Sequence, residues 1–323
     1  MLNNLNLNRV LFLDIETVPQ KESFSMLTEH QQEIFKKRFK KDISAEVEKK
    51  IAASNIIEKL KKELCDVNSE VIKEKGTKKK QNILSPEELM LKIESEVTEE
   101  IYSIKASLFV EWNRVLIISV GVLWKNEADD FYSIKIISFA DEDEKKLLSD
   151  FINHPKLGAI LNKVAGKYDK NKDDLWSLCA YNGEVFDFQV IAKRLLINGF
   201  KIPAMLDYSH LKPWEVFHLI DPKKLWSYGV WDSSTSLESL CDIFNIPSSK
   251  DDINGSQVAG VFYKDKDLPR IVKYCEKDVI SLAMVVLKII GVTNEIKIHN
   301  PGSIAANLVN TPIELGTKGT TLE

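Results

Sequence analysis

The stretch Val10-Leu11-Phe12-Leu13-Asp14-Ile15-Glu16-Thr17 constrains this chain more than any other. A short apolar run with a β-branched and an aromatic member reads as a buried strand. It ends in an acid, a spacer and a second acid. Side chains at i and i+2 of a strand point the same way, so Asp14 and Glu16 project together. Two carboxylates this close repel, and one keeps its proton unless a cation sits between them. For an all-oxygen site the natural cation is Mg²⁺ or Mn²⁺. A strand running into a solvated turn would carry the same residues, so the rest of the chain decides.

The 323 residues allow one large domain or two smaller ones. With 44% hydrophobic and 28% charged residues, a sizeable core is available. A net charge of −4 means that a nucleic-acid partner must be held by local basic patches or by metal. The longest apolar run, Val115 to Trp124, is too short to span a bilayer, so no membrane partner is expected. No basic start with an apolar core precedes the first strand, so no export signal is expected. Cys65, Cys179, Cys241 and Cys275 form no C-x-x-C pair. They predict buried thiols in a reducing, cytoplasmic setting, and argue against a disulfide framework or zinc. The five histidines form no ligand spacing.

After Pro19 the pattern changes. From about Lys21 to Leu108 charge is dense and mixed, as in Phe35-Lys36-Lys37-Arg38-Phe39-Lys40-Lys41. This predicts helical hairpin material. Ser85, Pro86 and Glu88 spell an N-cap, a first-turn proline and a capping box. Leu89, Ile93, Val97, Ile101 and Ile104 then fall on one face. An earlier helix is expected over Ala45 to Ile72 with Ile56, Leu60 and Leu64 in a stripe, and Lys73 to Asn82 as an exposed loop. From Arg114 the pattern is α/β. Val115 to Trp124 and Phe131 to Phe139 predict a hairpin, Asp141 to Asn153 a helix, Leu175 to Tyr181 a strand and Phe186 to Leu196 a helix. Ala204 to Leu206 and Phe217 to Ile220 read as strand material. Thr235 to Glu238 reads as a capping box for a helix through Phe244, and Asp267 as the cap of a long helix closed by Gly291. From Glu295 a polar, mobile tail is expected.

Two further acids stand at element ends. Asp187 opens a helix after Ala180-Tyr181-Asn182-Gly183, where small turn residues let backbone approach a ligand. An acid there also simply complements the helix N-terminus. In Tyr274-Cys275-Glu276-Lys277-Asp278 the tyrosine and the last acid are four apart, on the face that continues through Ile271 and Leu282. An acid on an apolar face is costly unless paired or metal-bound.

In chain order, Leu13-Asp14-Ile15-Glu16-Thr17, Tyr181-Asn182-Gly183-Glu184-Val185-Phe186-Asp187 and Tyr274-Cys275-Glu276-Lys277-Asp278 resemble the three motifs of the DEDD (DnaQ-like) 3′–5′ exonuclease superfamily, tyrosine subclass. The closest likeness is to predicted exonucleases related to the proofreading domain of family B DNA polymerases. It extends over Asp14 to Gln20, Ser107 to Gly121, Lys250-Asp251-Asp252 and Gly255-Ser256-Gln257-Val258. The resemblance implies a ribonuclease H-like α/β fold, a mixed sheet flanked by helices with a helical insertion after the first strand. The exonuclease domain would comprise 1–20 and 107–294, the insertion 21–106 and the tail 295–323. The insertion, longer than expected of this group, could cover the site or bind a protein partner.

The resemblance further implies two divalent ions about 3.5–4 Å apart. Asp14, Glu16 and Asp278 would bind the ion that activates water. Asp14 would bridge to a second ion, held by Asp187 through water, that stabilises the leaving 3′-oxygen. Tyr274 would orient the attacking water and could assist its deprotonation, although tyrosine is a poor base at its usual pKa near ~10. Thr17, Asn182 and Phe186 are candidate substrate contacts; Phe186 could stack on a base or pack. Single-stranded nucleic acid is the expected partner, DNA favoured over RNA, with release of nucleoside 5′-monophosphates. Lys36 to Lys41 and Lys78 to Lys80 could track phosphates or be a solvated face and loop. An exoribonuclease and a non-catalytic binding module are the competing readings.

Overall fold

The computed structural model describes residues 5–53, 85–126, 131–163, 175–212, 215–230, 234–247, 252–292 and 296–298. The stripe Ile56, Leu60 and Leu64, the loop Lys73 to Asn82 with Lys78 to Lys80, Cys65, Lys250 and Asp251 lie outside them. So do residues 127–130 and 164–174, and the expected tail beyond Ile298.

Six strands form one sheet: β1 Val10–Pro19, β2 Asn113–Asn126, β3 Phe131–Ala140, β4 Ser177–Cys179, β5 Leu219–Ile220 and β6 Ile296–Ile298, in the order β5-β4-β1-β2-β3-β6. β1 runs parallel to β4, β4 to β5 and β3 to β6, while β2 and β3 are an antiparallel hairpin. Among the described residues the helices are α1 Glu29–Arg38, α2 Lys40–Ala53, α3 Pro86–Lys105, α4 Glu144–Asn153, α5 Pro155–Leu161, α6 Asp187–Ile197, α7 Pro222–Ser227, α8 Leu237–Ile243 and α9 Leu268–Ile289, with short 3₁₀, α and π turns besides. A mixed sheet flanked by helices, with helices inserted after the first strand, is the ribonuclease H-like α/β arrangement.

The chain divides into two compact units, Met1–Val18 with Asn113–Glu323, and Pro19–Trp112. In the first, β2 is buried from Val115 to Leu123, which the unbroken apolar run requires of a strand covered on both faces. One core cluster gathers Leu11, Leu13, Ile118, Phe151, Phe188 and Leu195; others join the sheet to α9. A buried ionic network pins three elements of this unit. Glu144 in α4 accepts from the Val115 amide at 2.7 Å, from Arg194 Nε at 2.8 Å and from Asn198 Nδ2 at 2.9 Å.

The helical unit has its own core. Phe35 and Phe39, which look like interruptions in a lysine-rich run, are buried with Phe24, Tyr102 and Trp112. Phe35 meets Trp112 edge-on with centroids 5.1 Å apart. Lys36 in the same run lies 3.6 Å from Glu94. The Ser85–Glu88 capping box forms. Ile93, Val97 and Ile101 are buried as the stripe predicts, whereas Ile104 at the end of α3 is exposed.

Several boundaries differ from the sequence pattern. Ala204–Leu206 is a 3₁₀ turn, not a strand, and of Phe217 to Ile220 only Leu219–Ile220 pairs. The strand expected over Leu175 to Tyr181 is reduced to Ser177–Cys179, because its parallel partners offer only short registers. Ser236, not Thr235, caps α8, accepting from the Ser239 amide. Ile296–Ile298, expected in a mobile tail, pairs with Tyr132–Ile134 of β3 as the edge strand.

The network around Glu144 yields a stability prediction. Arg194→Ala leaves a buried carboxylate without its cation and is expected to cost about 3–5 kcal/mol. Urea denaturation followed by circular dichroism measures it, and an unchanged midpoint would show the pair to be dispensable.

Candidate active site

β1 delivers the first two acids as its alternation dictates. Asp14 and Glu16 share one side, and their carboxylate oxygens and the Cys275 sulfur all lie within 4.8 Å of one another. Thr17, the next residue, turns its buried side chain to the opposite side.

α9 brings the third motif onto the sheet. Asp267 caps it, accepting from the Arg270 amide at 3.1 Å, and Gly291 follows its end with φ +81°. Its stripe Ile271, Cys275, Val279, Leu282 and Val286 is buried. A Cβ on Gly121 of β2 would stand 2.7 Å from Val279 Cγ1, so the missing side chain lets helix and strand approach this closely. Tyr274 is thereby buried beside Asp278, with which its side chain hydrogen-bonds.

The second motif comes from the β4–α6 connection. Asp187 is the first residue of α6, is 4% exposed, and accepts from its own amide and from that of Ile15, which lies between the two acids of β1. The connection is held in shape by Asp221, the buried cap of α7. Its Oδ1 accepts from the Asn182 amide at 2.9 Å and the Lys223 amide at 3.0 Å. Asn182 sits in the left-handed region, φ +60°, and its side-chain oxygen accepts from Lys223 Nζ at 3.3 Å. Gly183 serves internal packing: a Cβ there would stand 2.5 Å from Ala180 and 2.9 Å from the Phe188 ring. Phe186 is half-buried against the core.

Electrostatics report the crowding. Burial pushes Asp14 well above the usual carboxylate range, and Asp278, Glu16 and Asp187 push it further. Glu16 is raised by burial, then by Asp278 and Asp187. Asp187 is raised to about 7, chiefly by burial and also by Asp221 and Asp278, against the two amides that favour its charge. Tyr274 is pushed far above its ordinary value by burial, then by Asp278, Glu16 and Asp14, so its hydroxyl keeps its proton. Cys275 is likewise raised, by burial and then Asp14 and Glu16, and stays a neutral thiol. Acids that raise one another are what a divalent cation relieves, and a donor set of carboxylate oxygens suits a hard one. Beside them the Cys275 sulfur lies 3.3 Å from Asp14 Oδ2, where its S–H donates.

The structure thus brings Asp14, Glu16, Asp187, Tyr274 and Asp278 together. A family model described as a predicted 3′–5′ exonuclease related to the exonuclease domain of PolB matches residues 107–311. The chain belongs to this family. It is an exonuclease, with nucleic acid as its substrate. No curated protein matches the chain. Asp187, Tyr274 and Asp278 fall within the matched stretch, while Asp14 and Glu16 precede it, so their link to the family site is the geometry. Among the described residues no helix is long and apolar enough to cross a membrane.

Two residues of this region escape the sequence pattern. Cys275 reads as one more buried thiol, although its place in the Ile271–Val279 stripe puts it on the sheet-facing side. Asp221 is signalled only by Asp-Pro, a cap followed by a first-turn proline.

The raised acids predict how stability follows pH. In chelator, Asp187 contributes stability that is whole below its unfolded value of 3.8 and is lost as pH climbs through about 7. Asp14 and Glu16 act in the same direction. The metal-free thermal midpoint is therefore expected to fall from pH 5 to pH 8, and Asp187→Asn to flatten that slope. Mg²⁺ or Mn²⁺ should raise the midpoint more at pH 8 than at pH 5. A midpoint that rises with pH in chelator would contradict the site.

Proposed function

We propose that this chain is a metal-dependent 3′–5′ exonuclease that degrades single-stranded DNA to nucleoside 5′-monophosphates. The observation that carries the reading is the convergence of four acids from β1, α6 and α9, each of Asp14, Glu16 and Asp187 raised by burial and then by its neighbours. Two divalent ions, Mg²⁺ or Mn²⁺, would supply activation of water and stabilisation of the leaving 3′-oxygen. Asp14, Glu16, Asp187 and Asp278 are the residues that would hold them. Tyr274, protonated and tethered to Asp278, orients water through its hydroxyl and does not act as a base. The backbone at Thr17 and the side chain of Asn182 would meet the terminal sugar and phosphate, and Phe186 would stack on a base or pack. Glu16 and Asp187 are 8% and 4% exposed, which favours a strand end delivered as unpaired nucleotides. Preference for DNA rests on the family's relation to a DNA polymerase exonuclease domain.

The test is Mn²⁺-dependent degradation of 3′-labelled and 5′-labelled single-stranded DNA, with RNA of the same sequence in parallel. Wild type is expected to release the 3′ label first as mononucleotide. Asp14→Ala should abolish this, and Tyr274→Phe should slow turnover roughly a hundredfold. Intact oligonucleotides in Mn²⁺ would refute the reading, and faster loss of RNA would reassign the substrate.

A further inference from the structure

Behind Asp14 runs a buried chain of polar side chains that the catalytic reading does not use. Ser119 of β2 and Ser138 of β3 are cross-strand partners, both fully buried, with hydroxyl oxygens 2.9 Å apart. Ser138 donates to Glu276 Oε1 at 2.7 Å. Its proton is thereby committed, and its oxygen is left to accept from Ser119. Ser119 in turn stands beside the Cys275 thiol. The Cys275 sulfur lies 3.3 Å from Asp14 Oδ2 and 3.5 Å from the Asp14 carbonyl oxygen. With the Ser119 proton spent on Ser138, the one thiol proton can go to the Ser119 oxygen or to Asp14 Oδ2, and the charged carboxylate is the stronger acceptor.

The placement is built into the packing. Cys275 and Val279 are one helical turn apart, and Ser119 and Gly121 are alternate residues of one strand face. The close approach that Gly121 permits to Val279 is the approach that sets Cys275 between Ser119 and Asp14.

We propose that Cys275 is a positioning residue for the metal site: its thiol donates to Asp14 Oδ2 and fixes the rotation of that carboxylate, with Ser119 and Ser138 anchoring the thiol to the sheet. This rests on the metal-site reading above. Outer hydrogen-bond partners orient first ligands, and losing one typically costs about 10–100-fold in metal affinity.

Two measurements test it. The first needs no metal. The S–H stretching band isolated in the infrared difference between wild type and Cys275→Ala is expected at a hydrogen-bonded frequency, and Asp14→Ala should move it upward. A band indifferent to Asp14→Ala overturns the proposal. The second is Mn²⁺ binding followed by electron paramagnetic resonance. Cys275→Ala is expected to weaken binding by about 10–100-fold. Cys275→Ser, which keeps a donor, should recover most of it, and Ser119→Ala should lose less than Cys275→Ala. Raising Mn²⁺ should restore turnover in Cys275→Ala without changing KM for the oligonucleotide. Wild-type affinity in Cys275→Ala, or equal losses in the alanine and serine variants, overturns the positioning role. Should the alanine variant not fold, the serine variant and Ser119→Ala carry the same comparison. A wild type that binds no Mn²⁺ but whose S–H band follows Asp14 overturns the metal reading while leaving the hydrogen bond established.

Discussion

Mutual repulsion among Asp14, Glu16, Asp187 and Asp278 is the constraint to which the rest of the sheet's architecture answers. The fold brings acids from the middle of a strand, a helix start and a helix middle into one partly desolvated place, and burial is the leading reason that Asp14, Glu16 and Asp187 are raised. Left alone, such a cluster pushes its elements apart or holds protons. It persists because the surrounding packing over-determines it. The Ile15 amide ties Asp187 to β1, Gly121 lets α9 bed down on β2, and the Glu144 carboxylate locks α4 and α6 to the same strand. Stability given up at the acids is offset by apolar contact and by that network, which is where function-bearing strain is commonly stored.

Three layers can be separated around Asp14. The carboxylate oxygens are the groups that a divalent ion needs. Next come donors that set their rotation: the Cys275 thiol for Asp14, the Ile15 amide for Asp187, the Tyr274 hydroxyl beside Asp278. Behind these lie Ser119, Ser138 and Asp221, which back the groups in front of them. Precision in a metal site comes from the second and third layers, because a carboxylate on a free rotor spends most of its time misaimed.

Local chemistry made the main elements legible. Strand alternation paired Asp14 with Glu16, a helical interval paired Tyr274 with Asp278, and cap signatures marked α3 and α9. What was illegible depended on contacts distant in sequence. The lysine-rich run around Phe35 gives no hint that its two phenylalanines meet Tyr102 and Trp112 from the far end of the insertion. Gly183 looks like a turn residue, yet it is small because Ala180 and Phe188 close in on it, while the positive φ falls on Asn182. Ile296–Ile298 carries too short an apolar run to announce a strand, and only the free edge of β3 makes it one. Cys275 was hidden for the same reason, since nothing near it in the chain names Asp14 as its acceptor.

The insertion follows the strand that carries two of the acids, and its base is closed by its own bonds. The Gln20 amide donates to the Trp112 carbonyl at 2.7 Å, and the Gln20 side chain to the Glu111 carbonyl at 3.1 Å, so the segment closes on itself where it begins and ends. Closing a long loop costs only slowly more as it lengthens, about 0.6 kcal/mol per doubling. Here even that cost is met inside the segment by its aromatic core of Phe24, Phe35, Phe39, Tyr102 and Trp112. The segment is thus stabilised by its own contacts and stapled at its neck. The register that aims Asp14 and Glu16 together is set inside the sheet unit, by alternation along β1 and by its parallel pairing with β4.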